Sequence, residues 1–281
     1  MLLIKTREQL IAHLSTFKVN HSLGLVPTMG ALHIGHAALV KRAIEENNAV
    51  VVSIFVNPTQ FNNTADLAKY PQTLKADIEV LERISKDIIV FVPSIDEMYS
   101  KEAKSVNYDF GGLENVMEGA FRPGHFDGVG TIVESLLNLV KPDKAYFGEK
   151  DFQQLQIIRK LTEIRKIPVK IIGCPIVRET NGLAFSSRNE RLSDNIRNEA
   201  AFIYKILKSA KKIFGTKSAK NVKDWVTEQF EQHPDLELEY IEITQAKTLK
   251  PVIKKQKNKK YRAFIAVYAD GVRLIDNLAL N

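Results

Sequence analysis

The chain has 281 residues, 44% of them hydrophobic and 26% charged, which is typical of a globular protein that can bury a substantial core. No apolar run approaches the ~20 residues that a membrane span requires. The first residues lack the basic and apolar regions of a secretion signal. A single cysteine, Cys174, rules out an intrachain disulfide. We therefore expect a cytoplasmic protein that makes no contact with a membrane.

The formal net charge is +7, and much of the excess lies in a lysine-rich run at residues 250–262, which ends at Arg262. Such a run can mark an RNA-binding surface. Here it has no interleaved aromatic residues and lies between two apolar, strand-like segments, which favours a solvated hairpin loop. Dispersed positive charge also attracts anionic substrates. We therefore predict small-molecule substrates and no nucleic-acid partner.

Up to residue 175, short apolar segments rich in β-branched residues alternate with amphipathic segments. The pattern predicts buried strands at residues 23–26, 50–56, 88–92, 145–147 and 169–172. The clearest helical pattern covers residues 129–140, where apolar side chains recur at i, i+3, i+4 and i+7. Strands that alternate with helices indicate a parallel sheet covered on both sides.

The composition changes after Pro175. Helical patterns at residues 194–213 and 222–229 precede strand-like segments at 236–243, 261–268 and 272–275. The last two strands are joined by a turn at Asp270-Gly271. Helices followed by strands predict a separate, smaller α+β domain. We place the domains at residues 1–176 and 177–281.

The most informative segment of the chain is Pro27-Thr28-Met29-Gly30-Ala31-Leu32-His33-Ile34-Gly35-His36. It follows a predicted strand and precedes a helical pattern that opens at Ala37. Gly30 breaks the strand, and Gly35 allows the backbone to approach a bound group closely. The N–H groups and dipole of a helix N-terminus attract anions. The segment therefore predicts a phosphate site.

Two interpretations of His33 and His36 need weighing. Three residues apart, the rings can face the same anion, which together with the glycines suggests a nucleotide triphosphate. Two histidines also occur in zinc sites, but a zinc site needs three or four ligands and no further His or Cys lies nearby. We favour the nucleotide and predict no metal ligands.

Further polar segments lie where predicted strands end or helices begin, namely Asn57-Pro58-Thr59-Gln60-Phe61, Phe121-Arg122-Pro123-Gly124-His125-Phe126, Gly148-Glu149-Lys150-Asp151 and Ser186-Ser187-Arg188-Asn189. Ligands of open parallel sheets bind beyond the carboxyl ends of the strands, near the point where the strand order reverses. These segments therefore belong to the same candidate site.

Taken together, these motifs resemble the pantothenate synthetase (pantoate–β-alanine ligase) family of the HIGH-motif nucleotidyltransferase superfamily. The resemblance covers residues 20–190, which include the longer segment Tyr146-Phe147-Gly148-Glu149-Lys150-Asp151-Phe152-Gln153-Gln154-Leu155. Outside this range, the ending Arg273-Leu274-Ile275-Asp276-Asn277 also resembles the C-terminus of the family. The His-X-Gly-His element alone would indicate only the wider superfamily. The order and spacing of the motifs make the resemblance specific.

The resemblance implies a Rossmann-like, doubly wound parallel sheet with a smaller C-terminal α+β lid domain. It implies that the carboxylate of (R)-pantoate attacks the α-phosphate of ATP, which gives pantoyl adenylate and pyrophosphate. The amine of β-alanine then displaces AMP to form pantothenate. ATP is thus a substrate, and Mg²⁺ is expected to bridge its phosphates. A homodimer is the implied assembly.

The resemblance also implies residue roles. The catalytic residues are His33, His36, Lys150 and Arg188, with His36 as the acid. The ATP-binding residues are Met29, Gly30, Ala31, Leu32, His33, Ile34, Gly35, His36, Gly148, Glu149, Lys150, Asp151, Val177, Phe185, Ser186, Ser187 and Arg188. The residues that bind pantoate or β-alanine are Gln60, Gln154 and His125.

These residue types suit the chemistry, because phosphoryl transfer mainly requires positioning and stabilisation of charge. Lys150 supplies a mobile point charge, and Arg188 supplies a planar fork. The neutral amides of Gln60 and Gln154 donate and accept hydrogen bonds without repelling a carboxylate. For Asn57 both a structural and a substrate-binding role stay open, and the same holds for Arg122.

One position departs from the family, since Phe185 stands where Met is common. Two other functions compete with the one implied. Another adenylating enzyme of the same fold would share the phosphate motif, but it would not require pantoate for exchange of pyrophosphate into ATP. A non-enzymatic RNA binder would use the lysine run, and it would leave Gln60, Gln154 and the histidines without a role.

Overall fold

The computed structural model describes residues 1–62, 67–99 and 102–281. The chain divides into two compact units. The first unit contains Met1–Glu149 and Gln153–Pro175, and the second contains Lys150–Phe152 and Ile176–Asn281. Three residues between Glu149 and Gln153 thus belong with the C-terminal part of the chain.

The first unit contains a sheet of six parallel strands in the order β1-β4-β3-β2-β5-β6. The strands are β1 (Leu2–Ile4), β2 (Leu23–Thr28), β3 (Ala49–Ile54), β4 (Ile89–Phe91), β5 (Lys144–Gly148) and β6 (Lys170–Cys174). The five predicted strands are confirmed. β1 was not predicted, because three residues at the edge of a sheet carry no detectable periodicity.

The helices of the first unit are α1 (Arg7–Leu14), α2 (Ile34–Glu46), α3 (Leu74–Glu82), α4 (Ile95–Met98), α5 (Glu118–Phe121) and α6 (His125–Val140). A further helix, α7 (Phe152–Ile164), starts in the short segment of the second unit and continues in the first. The central strands are buried almost throughout, as expected for a parallel sheet with helices on both faces. The predicted doubly wound, Rossmann-like fold is confirmed.

The strand order reverses beside β2. From β2 the chain continues outward to β3 and β4, and it later returns to the other side of β2 to form β5. The carboxyl ends of β2 and β5 therefore flank the point at which open sheets of this type bind ligands. The histidine segment follows β2, and the Glu149–Asp151 turn follows β5.

The second unit contains the helices α8 (Asp194–Glu199), α9 (Ala201–Phe214) and α10 (Ala219–Glu231), and an antiparallel sheet of β7 (Leu236–Gln245), β8 (Tyr261–Ala269) and β9 (Val272–Ala279). This confirms the small α+β part. The helix predicted at residues 194–213 is interrupted at Ala200, which ends α8 and precedes α9. Asp270 and Gly271 both have positive φ, as a tight two-residue hairpin turn requires.

Apolar side chains from α9 and α10 pack on the antiparallel sheet and form the core of the second unit. The lysines of the run lie in the exposed connection from β7 to β8, as predicted. For Arg262 the prediction is wrong, because this residue is buried in β8, where its guanidinium donates to Asn277 and lies over the ring of Phe152. Cys174 is buried, and burial raises the pKa of its thiol. Within the described part of the chain, no helix combines the length and the apolar character needed to cross a bilayer.

The first turn of α6 packs directly on the backbone that follows β3. A Cβ at Gly128 would lie 2.3 Å from Thr59 O and 2.7 Å from Gln60 N. A Cβ at Gly130 would meet only ring atoms of Tyr108 and Phe110, at 3.0–3.1 Å. Backbone cannot yield as a side chain can, so position 128 admits only glycine without movement of the turn that carries Gln60.

We expect Gly128→Ala to destabilise the protein by about 1–3 kcal/mol or more, because the added methyl overpacks against backbone. Gly130→Ala is the matched control in the same helix. It gains the same helix propensity, about 1 kcal/mol, and should cost less. Thermal unfolding of both variants measures the difference. Equal melting temperatures would contradict the close approach at Gly128.

Candidate active site

A buried carboxylate holds the turn after β2. Gly30 has φ of +80° and Ala31 has φ of +49°, a left-handed conformation that costs about 1–2 kcal/mol for a residue with a Cβ. Asp77 of α3 is only 2% exposed and accepts hydrogen bonds from Ala31 N at 3.1 Å and Leu32 N at 2.7 Å. Thr73 Oγ1 donates a third bond to Asp77 at 3.2 Å. Asp77 therefore stabilises a strained turn that leads into the histidines.

The two histidines form the N-terminal cap of α2. His33 Nδ1 accepts a hydrogen bond from Gly35 N at 3.1 Å, and His36 Nδ1 accepts one from His33 N at 3.3 Å. The helix consequently begins at Ile34 rather than at Ala37. Helix capping of this kind contributes about 1 kcal/mol. One first-turn N–H group expected to bind an anion is thus satisfied by a histidine ring.

The cap determines which ring nitrogen carries the proton. In both histidines Nδ1 accepts a backbone N–H, so the neutral ring has its proton on Nε2. The two half-buried rings lie close together, with centroids 4.1 Å apart. His33 and His36 are therefore two neighbouring Nε2–H donors in a fixed orientation.

The amide of Gln60 is oriented by a buried network. Asn57 is 1% exposed, and its Nδ2 donates to Gln60 Oε1 at 3.2 Å and to Gly128 O at 3.0 Å. Gln60 Nε2 points the other way and lies 2.7 Å from Met29 Sδ. Tyr99 donates its hydroxyl proton to Asn57 Oδ1. Burial raises the pKa of Tyr99, so the hydroxyl, which is protonated at neutral pH in any case, stays a donor under more alkaline conditions as well.

The backbone of Gln60 is held as well as its side chain. His125 is buried, and its Nδ1 donates to Gln60 O at 2.8 Å. Arg122 donates to the same carbonyl at 3.3 Å and to His125 Nε2 at 3.2 Å. Both ring nitrogens of His125 have protein partners, so the structure places His125 against Gln60. Its predicted contact with pantoate or β-alanine stays a prediction.

The two glutamines at the start of α7 have different environments. Gln153 is buried and bonds the backbone of residues 113–118 through both ends of its amide. Gln154 is half-buried. The contacts of Gln153 make it structural. Binding of pantoate or β-alanine by Gln154 stays a prediction.

In the second unit, Ser186 begins the turn that carries Arg188. Ser186 Oγ accepts a bond from Arg188 N at 3.3 Å. The next residue, Asn189, is buried and donates to Glu179 Oε1 at 2.7 Å and to Ala184 O at 3.0 Å. Glu179 also pairs with an arginine of α8, Arg197. The turn is thus fixed to the body of the second unit.

The hairpin before this turn contains two of the predicted ATP-binding residues, Val177 and Phe185. Phe185 N donates to Val177 O at 3.0 Å, so the two residues are paired across the hairpin. Lys150 also belongs to the second unit, and its Nζ lies 3.8 Å from Asp151 Oδ1. Its side chain is 20% exposed.

The predicted residues therefore divide between the units as follows. The first unit contains Met29, Gly30, Ala31, Leu32, His33, Ile34, Gly35, His36, Gln60, His125, Gly148, Glu149 and Gln154. The second contains Lys150, Asp151, Val177, Phe185, Ser186, Ser187 and Arg188. The first unit brings together the histidines, Met29 and Gln60 around the carboxyl ends of β2 and β3.

Sequence reasoning missed the supporting roles of Asp77 and Tyr99. Asp77 stands in the first turn of an amphipathic helix, where an acidic residue is ordinary. Only the burial of Asp77 indicates its supporting role, and the burial of a residue cannot be read from a single sequence. The role of Asn57, which stayed open, is to orient Gln60 in this structure. Across residues 1–62, 67–99 and 102–281, no group of three or more His, Cys, Asp or Glu could hold a metal ion.

Known proteins match the whole chain. The pantoate-beta-alanine ligase family model matches residues 2–279. A pantothenate synthetase of Christiangramia forsetii is 60% identical over 260 residues, which are 92% of each chain. The crystal structure of a pantothenate synthetase from Thermus thermophilus has a TM-score of 0.91 and 39% identity, and covers 100% of this chain and 99% of that one.

A pantoate-beta-alanine ligase from Francisella tularensis, crystallised with beta-gamma ATP and beta-alanine, has a TM-score of 0.81 and 35% identity. The match covers 100% of this chain and 98% of that one. The parallel sheet, the sequence motifs and the matches to known ligases together define this protein as a ligase with a Rossmann-like fold. The chain belongs to the pantoate-β-alanine ligase family of pantothenate biosynthesis, and the resemblance drawn from the motifs is confirmed.

We expect Asp77→Asn to release the turn after β2. The new amide has only one acceptor oxygen and presents N–H groups to backbone N–H groups, which should cost about 1–3 kcal/mol of stability. Hydrogen exchange at Ala31 and Leu32 should become faster.

Asp143→Asn is the matched control, because Asp143 Oδ2 accepts from Leu23 N at 2.7 Å at the opposite end of β2. Asparagine keeps the single acceptor oxygen that Leu23 N needs, so exchange at Leu23, Ala31 and Leu32 should match wild type. Slow exchange at both amides in Asp77→Asn would show that the carboxylate is not needed.

Proposed function

We propose that this ligase condenses (R)-pantoate with β-alanine in two steps that consume ATP. A pantoate carboxylate oxygen forms a bond to the α-phosphorus of ATP while the bond to pyrophosphate breaks. The β-alanine nitrogen then bonds to the acyl carbon of pantoyl adenylate, AMP leaves with the acyl C–O electron pair, and the nitrogen loses a proton. The products are pantothenate, AMP and pyrophosphate.

The observation that carries this proposal is the double cap of α2, which presents two Nε2–H donors side by side. Negative charge grows on the phosphate oxygens as pyrophosphate leaves, and donors already in place stabilise it without reorganisation. A single positioned donor contributes about 10²–10³ in rate at comparable sites. The dipole of α2 adds only about 0.3–1 kcal/mol. His33 and His36 therefore matter more than the helix itself, with His36 as the acid.

Gln60 and Gln154 bind pantoate in this proposal. The amide of Gln60 is aligned by Asn57, so its Nε2 is offered as a donor beside Met29. A neutral amide holds a carboxylate or hydroxyl without lowering the nucleophilicity of the carboxylate as a nearby cation would. His125 and Arg122 fix the backbone of Gln60 by donating hydrogen bonds to its carbonyl oxygen. The substrate residue is thus located by protein contacts before substrate binds.

Lys150 and Arg188 bind the ATP phosphates in this proposal, since a point charge and a planar fork suit phosphate oxygens. Met29, Val177 and Phe185 contact the adenosine, and Gly148 and Asp151 the ribose. Magnesium would enter as part of the nucleotide substrate and would neutralise charge on its phosphates. The oxygens of Asp77 are occupied by backbone N–H groups, which makes it a poor magnesium ligand.

The solved ligase from Francisella tularensis supports the choice of substrates, because its crystals contain beta-gamma ATP and beta-alanine. The homodimer, the cytoplasmic location and closure of the second unit as a lid stay predictions of the sequence and its resemblance.

Product analysis tests the reaction. With pantoate, β-alanine and ATP we expect AMP and pyrophosphate in equal amounts with pantothenate. Exchange of labelled pyrophosphate into ATP should require pantoate, and no amino acid should replace it. Formation of ADP and orthophosphate would point to an acyl phosphate and contradict the adenylate.

The role of the histidine proton can be tested with His36→Asn. Asparagine places an oxygen near the position of Nδ1, so the cap on His33 N is kept while the Nε2–H donor is lost. We expect kcat for pantoate-dependent exchange to fall about 10²–10³-fold with little change in melting temperature. His13→Asn, in α1, is the control and should behave as wild type. Wild-type kcat in His36→Asn would refute a donor role for this ring.

A further inference from the structure

The C-terminal motif Arg273-Leu274-Ile275-Asp276-Asn277 has no part in the proposed reaction, yet its last two residues are buried. Asp276 is 4% exposed and Asn277 is 1% exposed, in a strand whose neighbours are largely apolar. Burial of a carboxylate and an amide costs free energy unless hydrogen bonds replace those to water. The hydrogen-bond partners of these two side chains therefore explain why polar residues are buried at these positions.

Asn277 holds the backbone of Lys150. Its Nδ2 donates to Lys150 O at 2.8 Å, and its Oδ1 accepts from the guanidinium of Arg262 on β8. The same guanidinium lies over the ring of Phe152, 3.9 Å from its centroid, and Phe152 also contacts Phe264. All these residues belong to the second unit. The segment Lys150–Phe152 is thus attached to one face of β8 and β9.

Asp276 holds a different segment. It accepts two hydrogen bonds from the guanidinium of Arg178, at 2.6 Å and 3.0 Å. Arg178 also donates to Gly182 O at 3.1 Å and stacks on the ring of Tyr204, 3.6 Å from its centroid. The hairpin that carries Val177 is therefore attached through Arg178 to Asp276.

Neighbouring residues of a strand point to opposite faces of the sheet. Asn277 is cross-strand partner to Phe264, on the face that receives Lys150–Phe152. Asp276 pairs across with Ile265, on the face that packs against the helices. Asp276 Oδ1 also accepts from Asn277 N at 2.7 Å, which couples the two. One dipeptide thus fixes two segments on the two sides of β9.

We propose that Asn277 is a positioning residue for Lys150, acting through the backbone carbonyl of that lysine. The inference rests on the proposed role of Lys150 at the ATP phosphates. A lysine side chain is long and flexible, so the placement of its Cα decides which oxygens the ammonium reaches. A bond to the carbonyl fixes the Cα and leaves Nζ for the substrate. Asp276 positions the hairpin that carries Val177 in a similar way, through the side chain of Arg178.

The test is Asn277→Asp, which keeps the size of the side chain and a partner for Arg262 but removes the donor to Lys150 O. A carboxylate oxygen would then face a carbonyl oxygen, and the segment should detach from the sheet. We expect faster hydrogen exchange in residues 150–152. We also expect a loss of kcat/KM for ATP of about 10- to 100-fold in pantoate-dependent exchange, the scale of loss from a small misplacement. The KM for β-alanine should not change.

The matched control is Asn281→Asp. Asn281 Nδ2 donates to another lysine carbonyl, Lys259 O, at 2.7 Å, and its Oδ1 accepts from Tyr261 N at 2.8 Å. It lies just after the same strand, so the substitution removes the same kind of bond from the same sheet. Exchange in residues 150–152 and kinetics for ATP should match wild type. If Asn277→Asp does not fold, Asn277→Ala removes the side-chain donor without adding charge.

The outcomes separate the two proposals. Unchanged exchange at residues 150–152 in folded Asn277→Asp would overturn the anchoring role. Faster exchange with unchanged kcat/KM for ATP would overturn the link from anchor to nucleotide. An equal loss in kcat/KM for every substrate would indicate that Asn277 has a general structural role. That result would also overturn its role in positioning Lys150. If wild type shows no pantoate-dependent exchange, the proposed function fails, while hydrogen exchange still reports on the anchor.

Discussion

The candidate site of the first unit depends on one buried carboxylate. Asp77 accepts the N–H groups of Ala31 and Leu32, and it does so where Gly30 and Ala31 are left-handed. Each buried N–H left without a partner costs about 1–3 kcal/mol, which is a large share of a net stability of about 5–15 kcal/mol. His33 follows this turn directly and caps α2. The ring positions are therefore set by an aspartate from another helix.

The two units contribute different kinds of charge. The described site residues of the first unit that are oriented by hydrogen bonds are neutral donors, two imidazoles and the amide of Gln60. The cations, Lys150 and Arg188, belong to the second unit. A permanent cation beside the pantoate carboxylate would lower its nucleophilicity, whereas cations suit a triphosphate that carries several negative charges. The cations proposed to bind the triphosphate thus come from the second unit, and the neutral donors proposed to act on pantoate and on the phosphate oxygens come from the first.

The sequence predicted the parallel strands, the antiparallel sheet and the motifs well, because each is a local pattern. Alternating apolar segments reveal buried strands, and Asp270-Gly271 reveals a hairpin. The edge strand Leu2–Ile4 was not predicted, because a strand of three residues is too short to show a periodic pattern. Two sets of contacts were not predicted for another reason, namely those of Asp77 with residues 31 and 32 and that of Asn277 with Lys150. They join residues far apart in sequence, and one sequence does not show which buried polar groups meet.

The last strand, β9, contacts through polar side chains two segments that carry proposed site residues. A wholly apolar β9 would pack as well or better, because buried polar groups seldom add net stability over apolar ones. Asp276 and Asn277 instead direct their hydrogen bonds to Arg178 and to Lys150 O. Both segments carry residues proposed to bind the nucleotide, and neither has an apolar core of its own. The polar dipeptide therefore gives orientation to these segments, and the helices above the sheet supply the stability.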